Sequence, residues 1–593
     1  MEKKLKNRNL KWIAGAILAL CVLAVAGTII HRQRGSSASE NFDAYMEELF
    51  KEDVAENTVN LHYTLANPED YGITDYEVTL GKVTLASMEE SYTELEKMKE
   101  RLEGFRRFGL TKDQQLTYDI LMDYAETELS VKDLMLYTEV LGPISGNQAQ
   151  LPVILAEYTF RRERDIEDYL TLISGVDEMA EEIIDFEREK AQAGLFMSDS
   201  AADTIISQCE EFIENPEENY MIEVFDDKIA AFEGLTQQEK EEYSSKNRAI
   251  ITTEVAEGYR ILIEGLKELK GSGTNDLGLC YYEDGARYYE YLVRSGTGSD
   301  TSLRQLMRKT EYFLEEFISN LQTTVQQNPE IYQEFMDYQF TPMEPEEILE
   351  DLREKSAGYF PEPPQVNYTI KHVHPSMEEH SSPAFYLTTP VDDLQNNLIY
   401  INNKQISGGE EADIELYTTL AHEGYPGHLY QNIYTGSCNL PLIRSLLNYS
   451  GYSEGWATYV EHSYAFGFSG MSDELAQLFA GNSAVSLALH AYIDMGVNYE
   501  GWNQDDAADF LAGYGISDTN VAKQIFELVV EEPANYLNYF IGYLEILDLR
   551  RTAEKELGDA FDAKEFHRFL LETGPAPFYI IEDYMEDWIG EFN

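Results

Sequence analysis

The chain of 593 residues carries 44 Lys and Arg against 108 Asp and Glu, a formal charge of −64, and 43% of its residues are hydrophobic. A surface that acidic repels polyanions, which sets aside nucleic-acid binding and adhesion to anionic lipid headgroups. The length exceeds one ordinary hydrophobic core and no low-complexity segment divides it, so two lobes are expected.

The first predicted element is a targeting segment. Lys3, Lys4, Lys6, Arg8 and Lys11 precede an uncharged, mostly apolar run from Trp12 to Ile30, long enough to cross a bilayer as a helix. Residues 1–34 therefore read as a basic cytoplasmic end and an uncleaved signal-anchor, giving a single-pass protein of the cell membrane with its bulk outside. Secretion after cleavage near Ala24-Val25-Ala26 is the alternative. Leu20 directly before Cys21, with apolar sequence after it, argues against lipoprotein processing. Beyond residue 34 remain 37 basic and 107 acidic residues, a charge that most simply keeps an exported protein soluble. Cys209, Cys280 and Cys438 are odd in number and widely spaced, so no disulfide framework is implied, and the sequence does not choose among the pairs that could close.

A linker over residues 35–54 leads into a domain over 55–593. Residues 55–360 read as helix after helix: Ile166, Tyr169, Leu170 and Ile173 mark one apolar stripe at spacings of three and four, and Met179, Ile183 and Phe186 mark the next, both predicting core. Glu181, Glu182 and Asp185 between them read as a solvated face. The rhythm stops at Pro361-Glu362-Pro363-Pro364. Val366, Tyr368 and Ile370 then alternate with polar residues, and Phe385-Tyr386-Leu387 and Leu398-Ile399-Tyr400-Ile401 are short runs of β character. They predict a small sheet, one of whose edge strands could pair with an extended peptide. His372 and His374 share a face of that sheet as alternate residues, a potential metal pair, although packing or surface exposure accounts for them without special geometry.

Residues 361–593 also hold the chemistry. Thr419 to His428 places His422, Glu423 and His428 within seven residues. In the pattern H-E-x-x-H the two imidazoles lie one helical turn apart and bind zinc, with the Glu as general base. Here the imidazoles are six apart and would point about 120° away from each other on an unbroken helix. Pro426 and Gly427 predict a break that brings His428 back towards His422. A catalytic zinc takes three protein ligands and leaves a position for water, and Glu454 is the candidate third, in the first turn of a new helix capped by Ser453.

The residues His422-Glu423-x-x-Pro426-Gly427-His428 followed by Glu454-Gly455-Trp456-Ala457, with Tyr539-Phe540-Ile541-Gly542, Arg550 and Phe566-His567 downstream, resemble the bacterial family catalogued as domain of unknown function 885 from about residue 55 to the C-terminus. That family is in turn similar to the helical gluzincin peptidases such as neurolysin, angiotensin-converting enzyme and thermostable carboxypeptidase. The resemblance implies a mainly α, two-lobed fold with a deep cleft and a small sheet beside the metal helix. It also implies that Tyr539, in the shared Tyr-x-x-Gly stretch, donates to the oxyanion. Relatives often carry Arg where this chain has His490 and His where it has Asn498.

The expected function is zinc-dependent hydrolysis of short peptides, one zinc per chain, with His422, His428 and Glu454 as ligands. Zinc lowers the pKa of its water towards about 7, and Glu423 takes the proton and delivers it to the leaving amine. Two alternatives stand beside it: a catalytically silent peptide-binding protein that keeps the cleft, and an amidohydrolase or esterase that uses the same machinery on another bond. Arg550 and His567 read as ion-paired or hydrogen-bonded structure more readily than as substrate contacts.

Overall fold

Many helices of this chain start on a residue whose side chain satisfies the first-turn amides that have no intrahelical acceptor. Ser198 accepts from Ala201 N, and Thr84, Thr111 and Thr236 form reciprocal capping boxes with Ser87, Gln114 and Glu239. The computed structural model describes residues 38–373, 378, 382–405 and 414–592. Over these residues the protein is mainly helical with one three-stranded sheet. The stripes Ile166, Tyr169, Leu170, Ile173 and Met179, Ile183, Phe186 are buried together.

The two large cores do not divide at residue 360. One is built from residues between Phe42 and Ala125 together with residues between Tyr289 and Ile589, and the other from residues between Val140 and Leu266. The second core is thus an insertion, after which the chain returns to complete the first. The linker expected over 35–54 is corrected in the same way: residues 38–54 are helical, and Phe42, Tyr45, Met46, Phe50 and Val54 pack into the larger core. Their spacing of three and four makes an apolar stripe.

The membrane expectation is also corrected. Among the described residues no helix is long and apolar enough to cross a membrane, and the run from Trp12 to Ile30 lies outside them, as does Cys21. Cys209, Cys280 and Cys438 are all free thiols.

The sheet consists of β1 (Asn367–His372), β2 (Ala384–Leu387) and β3 (Asn396–Ile401) in the order β1-β3-β2. β1 runs parallel to β3 with Ile370 opposite Ile399, and β2 runs antiparallel to β3 with Tyr386 also opposite Ile399. β2 is therefore an edge strand, and it is the one next to the His422 helix. The Tyr386 N–H donates to Glu423 Oε2 at 2.8 Å. Because the N–H and C=O of one strand residue point to the same side, the free edge of β2 faces Glu423.

Candidate metal centre

The first imidazole sits at the end of the helix Ile414–Glu423 and the second opens the helix His428–Ser437. Between them the Tyr425–Pro426 peptide is cis, and Gly427 lies so close to the preceding turn that a Cβ there would be 1.7 Å from the His422 carbonyl oxygen. Only glycine fits that reversal. The buried Trp456 indole donates to the Pro426 carbonyl at 2.9 Å, tying the break to the helix that carries Glu454. The two imidazole rings then stand 4.8 Å apart at 80°.

Glu454 arrives on the helix Ser450–Val460. That helix begins four residues earlier than expected: Ser453 does not cap it but donates from Oγ to the Ser450 carbonyl, and Glu454 opens the second turn. Its position is set by the helix Asn535–Leu557, which crosses at glycine on both sides; a Cβ on Gly455 would lie 2.4 Å from the Gly542 carbonyl carbon. Oε2 of Glu454 stands 3.4 Å from His422 Nε2 and 3.3 Å from His428 Nε2. Four ligands at about 2.1 Å from a tetrahedral zinc are separated from one another by about 3.4 Å. The same oxygen is buried without a hydrogen-bond partner of acceptable geometry, an uncommon state for a carboxylate. Two imidazole nitrogens and an orphaned anionic oxygen at this spacing fit a divalent cation such as zinc.

Glu423 lies with His422 and His428 in a cluster whose ligand atoms are within 4.8 Å of one another. Both Glu423 and Glu454 are thus near the imidazoles, but Glu423 Oε2 already accepts from Tyr386 N, whereas Glu454 Oε2 is uncommitted. The Tyr539 ring stacks at 22° and 6.3 Å from His422, and among the described residues its hydroxyl has no hydrogen-bond partner.

The electrostatics are those of a pocket short of positive charge. Burial raises the Glu423 carboxyl. Burial acts the same way on Glu454, but His428 and His422 outweigh it and hold the Glu454 carboxyl far below the usual range. Burial disfavours the His422 cation, yet the nearby carboxylates of Glu454 and Glu461 leave its pKa well above the ordinary value. Burial also raises the Tyr539 hydroxyl, with Glu454 and Glu423 adding to it.

Glu461 is the site residue that the sequence reading missed. Its Oε2 lies 3.2 Å from His422 Nδ1. The available signal was spacing: seven residues after Glu454, a carboxylate returns to the same helix face.

The remaining candidates lie elsewhere. Asn498 is fully buried and spends its amide on Asp494 Oδ1, the Val529 carbonyl and the Leu279 N–H, so it is structural. His490 stacks on Tyr536 at 4.6 Å with Nδ1 against the Ser486 carbonyl. Arg550 donates to the Tyr459 and Tyr464 hydroxyls, and His567 stacks on Phe360 at 4.3 Å with its two nitrogens on Tyr459 Oη and the Tyr359 carbonyl; both hold the core. His372 ends β1 in an exposed position, and His374 is outside the described residues.

A crystal structure described as that of a putative lipoprotein from Colwellia psychrerythraea shares 19% identity and aligns with a TM-score of 0.79 over 94% of this chain and 99% of that one. A second, described as a putative lipoprotein of unknown function from Shewanella oneidensis, shares 16% identity with a TM-score of 0.61 over 92% and 99%. These likenesses establish the fold, and neither protein is described as a single-pass membrane protein. No curated protein matches. Residues 68–585 match the family described as bacterial protein of unknown function (DUF885), to which this chain belongs.

Proposed function

We propose that the protein is a zinc-dependent peptidase acting on short peptides, with His422, His428 and Glu454 as the metal ligands, Glu423 as general base and Tyr539 as oxyanion donor. The observation that carries this reading is the placement of Glu454 Oε2, 3.4 and 3.3 Å from the two Nε2 atoms and without a hydrogen bond. Zinc held there supplies Lewis acidity towards a carbonyl oxygen and a water.

The protein's own groups do the rest. Glu423 accepts a proton from the attacking water as the C–O bond forms, and returns it to the amine nitrogen as the C–N bond breaks. The Tyr386 N–H fixes which carboxylate oxygen is free for that exchange. The Tyr539 hydroxyl donates to the oxygen on which negative charge develops. A peptide, rather than an isolated amide, is favoured by the free edge of β2, which faces Glu423 and offers main-chain hydrogen bonds to an extended chain. A two-lobed gluzincin-like architecture belongs to this reading and is supported by the separate cores.

The test is Glu423→Gln, which keeps the reach of the side chain but cannot take a proton. Zinc content and peptide binding persist while turnover falls by about 10² to 10⁴. An unchanged rate on a peptide that the wild type cleaves refutes the role of Glu423, and loss of zinc makes Glu423 a ligand instead.

A further inference from the structure

We infer that Glu461 is a positioning residue for the metal centre: it holds the Nδ1–H of His422 and thereby presents Nε2, lone pair outward, to the cation. The inference rests on the reading of His422 as a ligand.

Glu454 and Glu461 stand on one face of one continuous helical segment, two turns apart, so their backbone positions are separated by about 10 Å along the axis. The His422 ring fits between them, with Glu454 Oε2 3.4 Å from Nε2 and Glu461 Oε2 3.2 Å from Nδ1. An imidazole whose Nδ1–H is held by a carboxylate has its ring plane and its tautomer fixed together. With Nδ1 donating to Glu461, only Nε2 is left to coordinate, which is the arrangement by which outer carboxylates strengthen histidine ligands.

The surroundings of Glu461 point the same way. Among the described residues no Lys or Arg pairs with it, and its other imidazole neighbour, His462, is 3.9 Å away and is engaged with Ser483 Oγ at 3.0 Å. A carboxylate largely withdrawn from water and without a Lys or Arg partner is costly, and the His422 N–H compensates it. Glu461 also opens a π-helical turn, Glu461–Ala465, a local irregularity found often at functional sites. His428 has no such outer carboxylate among the described residues, so of the two imidazoles only His422 is held in this way.

The test uses the full chain loaded with zinc. Competition with a chromophoric chelator should show zinc binding weakened by about 10- to 100-fold in Glu461→Ala, less in Glu461→Asp, with Glu461→Gln between them and its thermal midpoint near wild type. In ¹⁵N-histidine-labelled wild type, the His422 signal, identified by its loss in His422→Ala, should carry its proton on Nδ1. Wild-type affinity in both Glu461→Ala and Glu461→Gln overturns the inference, as does a proton on Nε2 of zinc-loaded wild type, a result that needs no variant to fold. Wild type that binds no zinc defeats the metal reading and this inference together, whereas zinc retained without any effect at Glu461 defeats this inference alone.

Discussion

Replacing Gly455 with Ala tests whether a backbone contact far smaller than a side chain sets the geometry of the metal centre. The added Cβ would meet the Gly542 carbonyl carbon at 2.4 Å and its Cα at 2.6 Å. Carbon atoms pack at about 3.5 to 4.0 Å, so the helices Ser450–Val460 and Asn535–Leu557 must separate by about 1 Å. Both partners are helix backbone and neither can rotate away. Overpacking of this kind costs about 1 to 3 kcal/mol. Metal sites tolerate ligand displacements of about 0.2 Å, and Glu454 is the adjacent residue, so zinc affinity should fall at least about tenfold along with stability. The assay is the denaturant midpoint of wild type and Gly455→Ala, paired with chelator competition for zinc. Gly467→Ala is the control: it also lies in a short helix, but a Cβ there meets nothing within 4 Å, and it should be neutral or mildly stabilising. Unchanged stability and unchanged zinc affinity in Gly455→Ala would refute the claim that the glycine crossing positions Glu454.

Three further outcomes are expected. His422→Ala, His428→Ala and Glu454→Ala should each bring zinc content, measured by elemental analysis, well below one per chain; full occupancy in any of them removes that residue from the ligand set. Tyr539→Phe should keep its zinc and lose about 10²- to 10³-fold in turnover, while a rate within twofold of wild type would make Tyr539 a packing ring. Asp494, fully buried, has its carboxyl pushed by burial from 3.8 to about 7 despite hydrogen bonds from Tyr289, Asn498 and the Ala534 N–H. The raised folded-state value means that this group's contribution is full below about pH 4 and is lost as pH rises through about 7, at most about 4 kcal/mol over that window. Denaturant unfolding between pH 5 and 8 should therefore fall less steeply in Asp494→Asn than in wild type, and parallel curves would show that the carboxyl is ionised throughout.

The sequence by itself determined what depends on near neighbours. The apolar stripes at 166–173 and 179–186 fix which helix faces are buried, and Pro361 to Pro364 end the helical run ahead of a small sheet. Pro426 and Gly427 stop the helix after Glu423 because one lacks the N–H to continue it and the other alone fits against the His422 carbonyl. The tertiary structure decided the rest. Helix 38–54, placed by the sequence in a linker, joins a core completed by residues some 250 and more positions later, since an apolar stripe names a face but not its partner. β2 enters as the edge strand beside Glu423, and β3 sits between its neighbours, through pairings that alternation alone leaves open. Glu454 reaches the two imidazoles only because two helices approach at Gly455 and Gly542, and Glu461 shares its face at seven residues' distance yet gains a role only from His422 lying between. A residue's chemistry is written locally, but the atom it faces is chosen by long-range packing, in which one methyl group at a helix crossing outweighs any local preference.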